Sequence, residues 1–231
     1  MWTGFIFDVE GTLVDSVPQN LRSLDEALKS FGYEISKEML QLYSGLDGDQ
    51  TLQLVLPDAD ESERQAILKA QGKIYEGKYL GDIRPLGRVR DVFSALTGRG
   101  GRIALATDCK GPALKHYLSL LGVDDLISAT ACGDDVEHGK PDPRLVGVAL
   151  RKLGLPAVQT VMIGDTPYDA EAGLEAGTAA AGVLTGGFTQ EALTGAGCFA
   201  VAGDLQGLLP SLQSRETASG SAGKDRPEAA A

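Results

Sequence analysis

The run Phe5-Ile6-Phe7 ends abruptly in Asp8, and Val9-Glu10-Gly11-Thr12 comes at once after it. An uninterrupted apolar run closed by a charge and a glycine predicts a buried central strand followed by a tight turn. Asp8 then stands at the C-terminal end of that strand, where open α/β sheets receive their ligands. Gly11 permits a backbone that a side chain would block. Thr12 offers a hydroxyl and an N–H to an incoming anion, so Gly11 and Thr12 are candidate substrate-binding residues. Taken alone, the stretch would serve equally as a loop with two solvated acids, and the rest of the chain has to decide.

The next segment is helical. Leu21, Leu24, Ala27, Leu28 and Phe31 recur at three- and four-residue spacings, and Gly32 stops the pattern. Ser36 caps a second helix through Tyr43, Asp47 to Leu56 forms a third, and Asp60 to Tyr79 a fourth. Beyond Pro85 strands and helices alternate. Helices are predicted at Val89–Leu96, Pro112–Leu121, Pro143–Leu153 and Tyr168–Ala176, and strands at Arg102–Ala106, Leu126–Ala131, Val158–Ile163 and Ala179–Val183. Alternation of this kind predicts an α/β fold with a doubly wound parallel sheet. The helical block is too long for a simple crossover. Residues 17–82 are therefore read as an inserted all-α cap over a core made of 1–16 and 83–213. From Ser214 the sequence loses periodicity and is expected to be a disordered tail, 214–231.

Composition narrows the partners. A formal charge of −11 argues against nucleic acid or an anionic membrane, both of which need basic patches. It leaves room for a small phosphorylated molecule, which needs only a local positive site. No apolar run is long enough to span a bilayer. Cys109, Cys132 and Cys198 are far apart and fit no metal or disulfide spacing. With no basic or long apolar leader at the N-terminus, the expected setting is the reducing cytoplasm.

Polar groups recur at separate strand ends: Asp8 and Glu10, then Thr107 and Asp108, then Asp165 and Asp169, with Lys140 in the loop before a helix. In a parallel sheet these ends converge on one crevice. Several carboxylates gathered there repel one another unless a cation sits among them, and oxygen ligands suit Mg²⁺. A lysine and a threonine hydroxyl beside that ion form a phosphate cradle. The matching chemistry is phosphoryl transfer with a carboxylate nucleophile. Cys109 has no histidine beside it in sequence and reads as structural, His116 and His138 as ordinary helix or surface residues, and Asp134 and Asp135 as loop acids.

The order of these pieces resembles the haloacid dehalogenase superfamily of phosphatases. Asp8-Val9-Glu10-Gly11-Thr12-Leu13 is similar to its first motif, Thr107 to its second, Lys140-Pro141 to its third and Gly164-Asp165-Thr166-Pro167-Tyr168-Asp169 to its fourth. The helical insert after the first motif resembles the small cap of the phosphoglycolate phosphatase and β-phosphoglucomutase branch. The resemblance implies that Asp8 forms an aspartyl-phosphate and that Glu10 moves protons as acid and then base. It implies that Thr107 and Lys140 hold phosphoryl oxygens. It further implies that Asp8, the Glu10 backbone carbonyl, Asp165 and Asp169 hold Mg²⁺, Asp169 directly or through water. Most phosphatases of this superfamily carry Asp where this chain has Glu10. Enolase-phosphatases of the same superfamily carry Glu there, although the rest of this chain does not resemble them.

Specificity is expected from the cap, at Tyr43-Ser44-Gly45-Leu46-Asp47-Gly48-Asp49, which resembles the specificity loop of this branch. Ser44 and Gly45 are its candidate substrate contacts, although the stretch reads equally as a Gly-rich helix–helix turn. Arg22, on the first cap helix, could instead meet an anionic substrate tail. Basic residues for a second phosphate, present in β-phosphoglucomutases, are replaced here by Ser44 and Gly48. The expectation is a Mg²⁺-dependent phosphatase of a small phosphomonoester, phosphoglycolate being the nearest named candidate, in a monomer or homodimer. The alternatives are a phosphomutase and a non-catalytic member that binds a phosphorylated ligand. A dehalogenase has no use for a metal, which Asp165 and Asp169 argue against.

Overall fold

Six parallel strands form one sheet in the computed structural model, which describes residues 1–214. They are β1 (Gly4–Phe7), β2 (Arg102–Ala106), β3 (Ala129–Ala131), β4 (Thr160–Gly164), β5 (Ala179–Val183) and β6 (Ala200–Ala202), in the order β3-β2-β1-β4-β5-β6. Phe5 of β1 pairs with Ile103 on one side and Val161 on the other. The chain runs outward from β1 to β3, then returns to the opposite side through β4. Strand order therefore reverses at the C-terminal ends of β1 and β4, the point at which such sheets bind ligands.

Side-chain alternation along β1 sends Phe5 and Phe7 to one face and Ile6 to the other. Phe5 and Phe7 join Ile103, Leu105, Val161 and Ile163 beneath α5 (Val89–Thr97), α6 (Gly111–Leu121) and α10 (Leu205–Gln213). Ile6 joins Ala104, Ala106 and Met162 beneath α7 (Arg144–Leu153) and α8 (Pro167–Glu175). A further helix, α9 (Gln190–Gly195), packs near the β6 edge.

Between β1 and β2 lie α1 (Val17–Ser30), α2 (Lys37–Leu42), α3 (Gly48–Val55) and α4 (Glu61–Ile74), called the cap below. They bury a separate apolar cluster that includes Leu24, Leu28, Leu40, Leu52 and Ile67. Ser36, Asp47 and Asp60 each accept a hydrogen bond from a first-turn amide, which satisfies helix ends that lack internal partners.

The elements depart from the sequence reading in four places. The strand expected at Leu126–Ala131 covers only Ala129–Ala131, because Asp124–Leu126 turns. The fourth helix is regular only to Ile74, and Tyr75–Tyr79 winds as a wider π turn. Two tyrosine hydroxyls hold that turn, Tyr75 on Tyr117 and Tyr79 on Glu26. The strand expected from Val158 begins at Thr160, because Ala157–Gln159 turns and leaves Val158 in solvent. β6, α9 and α10 carry no assignment in the sequence reading, since β6 is three small residues long. The expected tail lies outside the described residues from 215 onward. No described helix is long and apolar enough to cross a membrane.

Candidate active site

Asp8 follows β1 directly, and its N–H donates to the Ile163 carbonyl at 2.9 Å. That bond continues the ladder by one residue and fixes where the carboxyl points. Asp165 follows β4 in the same way, one strand over. Gly11 has φ +86°, and a side chain there would collide with the Asp165 carboxyl. A side chain at Gly164 would collide with Asp169. The glycines of both turns are therefore required for two carboxyls to approach the same point.

Lys140 is brought in by the loop before α7 and is buried. Its Nζ lies 2.5 Å from Asp8 Oδ1, 2.7 Å from Asp169 Oδ1 and 3.6 Å from Asp108 Oδ2. Asp108 Oδ1 in turn accepts the Lys140 backbone N–H at 3.1 Å. The other oxygen of Asp169 accepts from the Thr166 N–H and hydroxyl at 3.1 and 2.7 Å, which also caps α8. Thr12 donates its hydroxyl to Asp165 Oδ1 at 2.7 Å.

Burial and mutual repulsion dominate the electrostatics. Burial raises the Asp8 carboxyl to about 7, against the pull of Lys140. It raises Asp165 well above the carboxylate range, helped by Asp8 and Asp169. It raises Asp108 to about 6. For Lys140 burial works downward, but Asp169, Asp8 and Asp108 outweigh it and hold the ammonium charged.

The donor set fits a hard divalent cation. Asp8, Asp165 and Asp169 each present an oxygen within 4.8 Å of the others. Asp165 Oδ2 is buried with no hydrogen-bond partner, and an orphaned acceptor of that kind is costly. All-oxygen donors with carboxylate charge suit Mg²⁺. Glu10 takes a different position. Its Oε1 accepts from Asn20 Nδ2 at 3.0 Å and from the Tyr117 hydroxyl at 2.9 Å.

A cavity of about 260 Å³ opens between these residues and the cap. Asp8, Glu10, Asp108, Lys140, Asp165 and Asp169 line its floor. Its cap side carries apolar Leu21, Leu24, Leu40 and Leu68 and neutral Ser44, Thr51 and Gln71, with Asp47 as an acid. Lys140 is the sole cation lining it among the described residues. The cap rests on the core: Gln41 Nε2 donates to the Gly186 carbonyl at 3.1 Å, and the Tyr168 hydroxyl donates to the Leu42 carbonyl at 3.1 Å.

Asp8, Glu10, Asp108, Lys140, Asp165, Asp169, Ser44 and Gly45 thus share one cavity. Thr107, Gly11 and Thr12 lie buried behind it. The Thr107 hydroxyl accepts from Cys109 N–H at 3.3 Å, and the Thr12 hydroxyl is engaged by Asp165. Burial raises the Cys109 thiol and keeps it protonated. Asp134 and Asp135 accept backbone amides of Gly111 and Cys132, and Arg22 is exposed outside the cavity. Sequence reasoning missed Asn20, Tyr75, Tyr117 and Thr166. Thr166 alone had a signal, the Thr-x-x-Asp spacing of a helix cap.

Comparison with known proteins gives one consistent result. The model of the haloacid dehalogenase-like hydrolases matches residues 5–183. The phosphoglycolate phosphatase of Yersinia pestis is 28% identical over 214 residues, covering 90% of this chain and 92% of that one. The crystal structure of a hydrolase from Pseudomonas syringae superposes with a TM-score of 0.85 at 28% identity, covering 91% and 97%. CbbY from Rhodobacter sphaeroides in complex with phosphate shares the fold with a TM-score of 0.74 at 21% identity, covering 90% and 96%.

Proposed function

The chain belongs to the haloacid dehalogenase-like hydrolases, and we propose that it is a Mg²⁺-dependent phosphatase of a small phosphorylated metabolite, working through an aspartyl-phosphate on Asp8. The observation that carries this is the grip of buried Lys140 on Asp8 and Asp169, at 2.5 and 2.7 Å, beside the unpartnered Asp165. Asp8, Asp165 and Asp169, with the Glu10 backbone carbonyl, would hold Mg²⁺, which supplies neutralising charge for the phosphoryl oxygens.

Asp8 attacks phosphorus, so an oxygen–phosphorus bond forms and the bond to the alcohol oxygen breaks. Glu10 gives its proton to that leaving oxygen. Glu10 then takes a proton from water, whose oxygen attacks the same phosphorus. The bond to Asp8 breaks and inorganic phosphate leaves. Lys140 faces the phosphoryl oxygens and favours the ionised form of Asp8 against the effect of burial. Asp108, Ser44 and Gly45 shape the binding side in this scheme, while Thr107, Gly11 and Thr12, buried behind it, support the floor.

The names of the relatives supply phosphoglycolate as the first substrate to test. The cavity supplies a competitor, an ester whose alcohol is uncharged, because the cap side offers apolar and neutral groups and the acid Asp47. A phosphomutase needs a second phosphate anchor. The loop positions that carry it in β-phosphoglucomutases are Ser44 and Gly48 here, which favours hydrolysis over return of the phosphoryl group. The first test is release of p-nitrophenol from p-nitrophenyl phosphate with Mg²⁺ or EDTA, beside Asp8→Asn. Release that needs both Mg²⁺ and Asp8 supports the reading. An active Asp8→Asn enzyme overturns the mechanism.

A further inference from the structure

Glu10 is held by a chain of hydroxyls that the catalytic scheme does not use. Tyr117 is fully buried on α6, and its hydroxyl lies 2.9 Å from Glu10 Oε1 and 2.6 Å from the Tyr75 hydroxyl. A tyrosine has one hydroxyl proton. Tyr117 gives it to the carboxylate, so Tyr75 must donate to Tyr117. Both hydroxyls therefore point toward Glu10. Burial and the Glu10 charge raise Tyr117 and Tyr75 far from ionisation, so neither competes for the proton.

The chain also joins the two layers. Tyr75 opens the π turn by which the cap returns to the core, Tyr117 belongs to the core, and Asn20, the other partner of Oε1, belongs to cap helix α1. Oε1 accepts two hydrogen bonds, and no described residue hydrogen-bonds Oε2. The length of the residue matters as well. An aspartate at this position would end one methylene short of Tyr117.

We infer that Tyr117, backed by Tyr75, is a positioning residue for Glu10: it anchors Oε1 so that Oε2 is the oxygen that hands over and takes back the proton. The inference rests on the reading of Glu10 as acid and base, and the experiment separates the two. The probes are phenyl phosphate and p-nitrophenyl phosphate, similar in shape and different in leaving group. p-Nitrophenolate leaves without a proton, whereas the more basic phenolate needs one, and kcat/KM reports the step that expels it.

Tyr117→Phe keeps the ring and removes the anchor. It should lower kcat/KM about tenfold for phenyl phosphate, in line with the cost of a misplaced catalytic group, and leave p-nitrophenyl phosphate within about threefold of wild type. Tyr75→Phe should give the same pattern at smaller size while leaving Tyr117 in place. In a Glu10→Asp or Glu10→Gln background, Tyr117→Phe should cost nothing further. Equal losses on both esters, or a full additional loss in the Glu10→Asp background, would mean that Tyr117 only supports the core, and would overturn the inference. If Glu10→Gln slows both esters equally, the acid role of Glu10 fails, and the positioning role fails with it. If no ester is turned over by an enzyme that also lacks Asp8-dependent phosphate exchange, the phosphatase reading itself fails.

Discussion

Gly45 of the cap lies directly against Thr166 of the core: a Cβ on Gly45 would stand 2.5 Å from the Thr166 methyl. Gly45 also has φ +91°, which a side chain tolerates poorly. Thr166 meanwhile holds Asp169, so this approach joins the cap loop around Gly45 to the acidic cluster. Gly45→Ala should hinder closure of the cap and lower kcat/KM about tenfold, through misplacement on the ångström scale. The melting temperature should fall as well, because alanine is strained at that φ. Thr166→Ser keeps the hydroxyl and removes the methyl, so adding it should restore part of the lost rate. Steady-state kinetics of the single and double variants would check this, and an unaltered KM and kcat in Gly45→Ala would refute it.

Lys140→Met removes the one cation among the described residues that faces Asp8, Asp169 and Asp108. Leaving buried charges uncompensated costs about 3–5 kcal/mol. Urea unfolding in EDTA should show a loss of that size, and Mg²⁺ should return part of it. A wild-type urea midpoint for this variant would show that the carboxyls do not carry the charge assigned to them.

The metal-free protein should be more stable at pH 5.5 than at pH 8. Asp8, at about 7, and Asp165 hold their protons in the folded state well above the range of an exposed carboxyl, near 4. Between those limits the native state binds more protons than the unfolded chain, so stability falls as pH rises through that window. Lys140 is raised above its ordinary value, so its contribution persists throughout and is lost only at higher pH. Mg²⁺ competes with those protons, and its stabilising effect should therefore grow from pH 5.5 to pH 8. Melting temperatures in EDTA and in Mg²⁺ at the two pH values would test both statements. A flat or rising EDTA series contradicts the first.

Esters of uncharged alcohols should be hydrolysed faster than phosphoglycolate. A carboxylate on the leaving alcohol meets Asp47 and no cation on the cap side of the cavity among the described residues. Ser44→Arg should narrow or reverse the preference, since it adds the charge that is lacking. A kcat/KM for phosphoglycolate above that of every neutral ester in a phosphomonoester panel would contradict this preference.

Much of the fold was legible because apolar runs and glycine turns carry local signals. Phe5 to Asp8 marked a central strand, and Ser36, Asp47 and Asp60 marked helix starts. The acids and Lys140 were legible as a set, since strand ends of a parallel sheet converge. Tyr117 was not, because a tyrosine on an apolar helix face has the same periodicity as any core residue. Nor was the use of the Thr12 hydroxyl, which depends on a partner far along the chain, Asp165. β6 escaped notice because Ala200, Val201 and Ala202 bury too little surface to mark a strand.

The central position of β1 has a consequence for how the protein is made. Phe5, Ile6 and Phe7 are synthesised well before their partners, Ile103 and Val161 with their neighbours. The cap helices, whose contacts are local, can fold while the first strand still waits, whereas the long-range pairing must be slow. For most of synthesis the most apolar strand is an unpaired edge, the species that aggregates or calls for a chaperone. Asp8 is therefore made before the strands that hold it in place and is among the last residues to reach its working position.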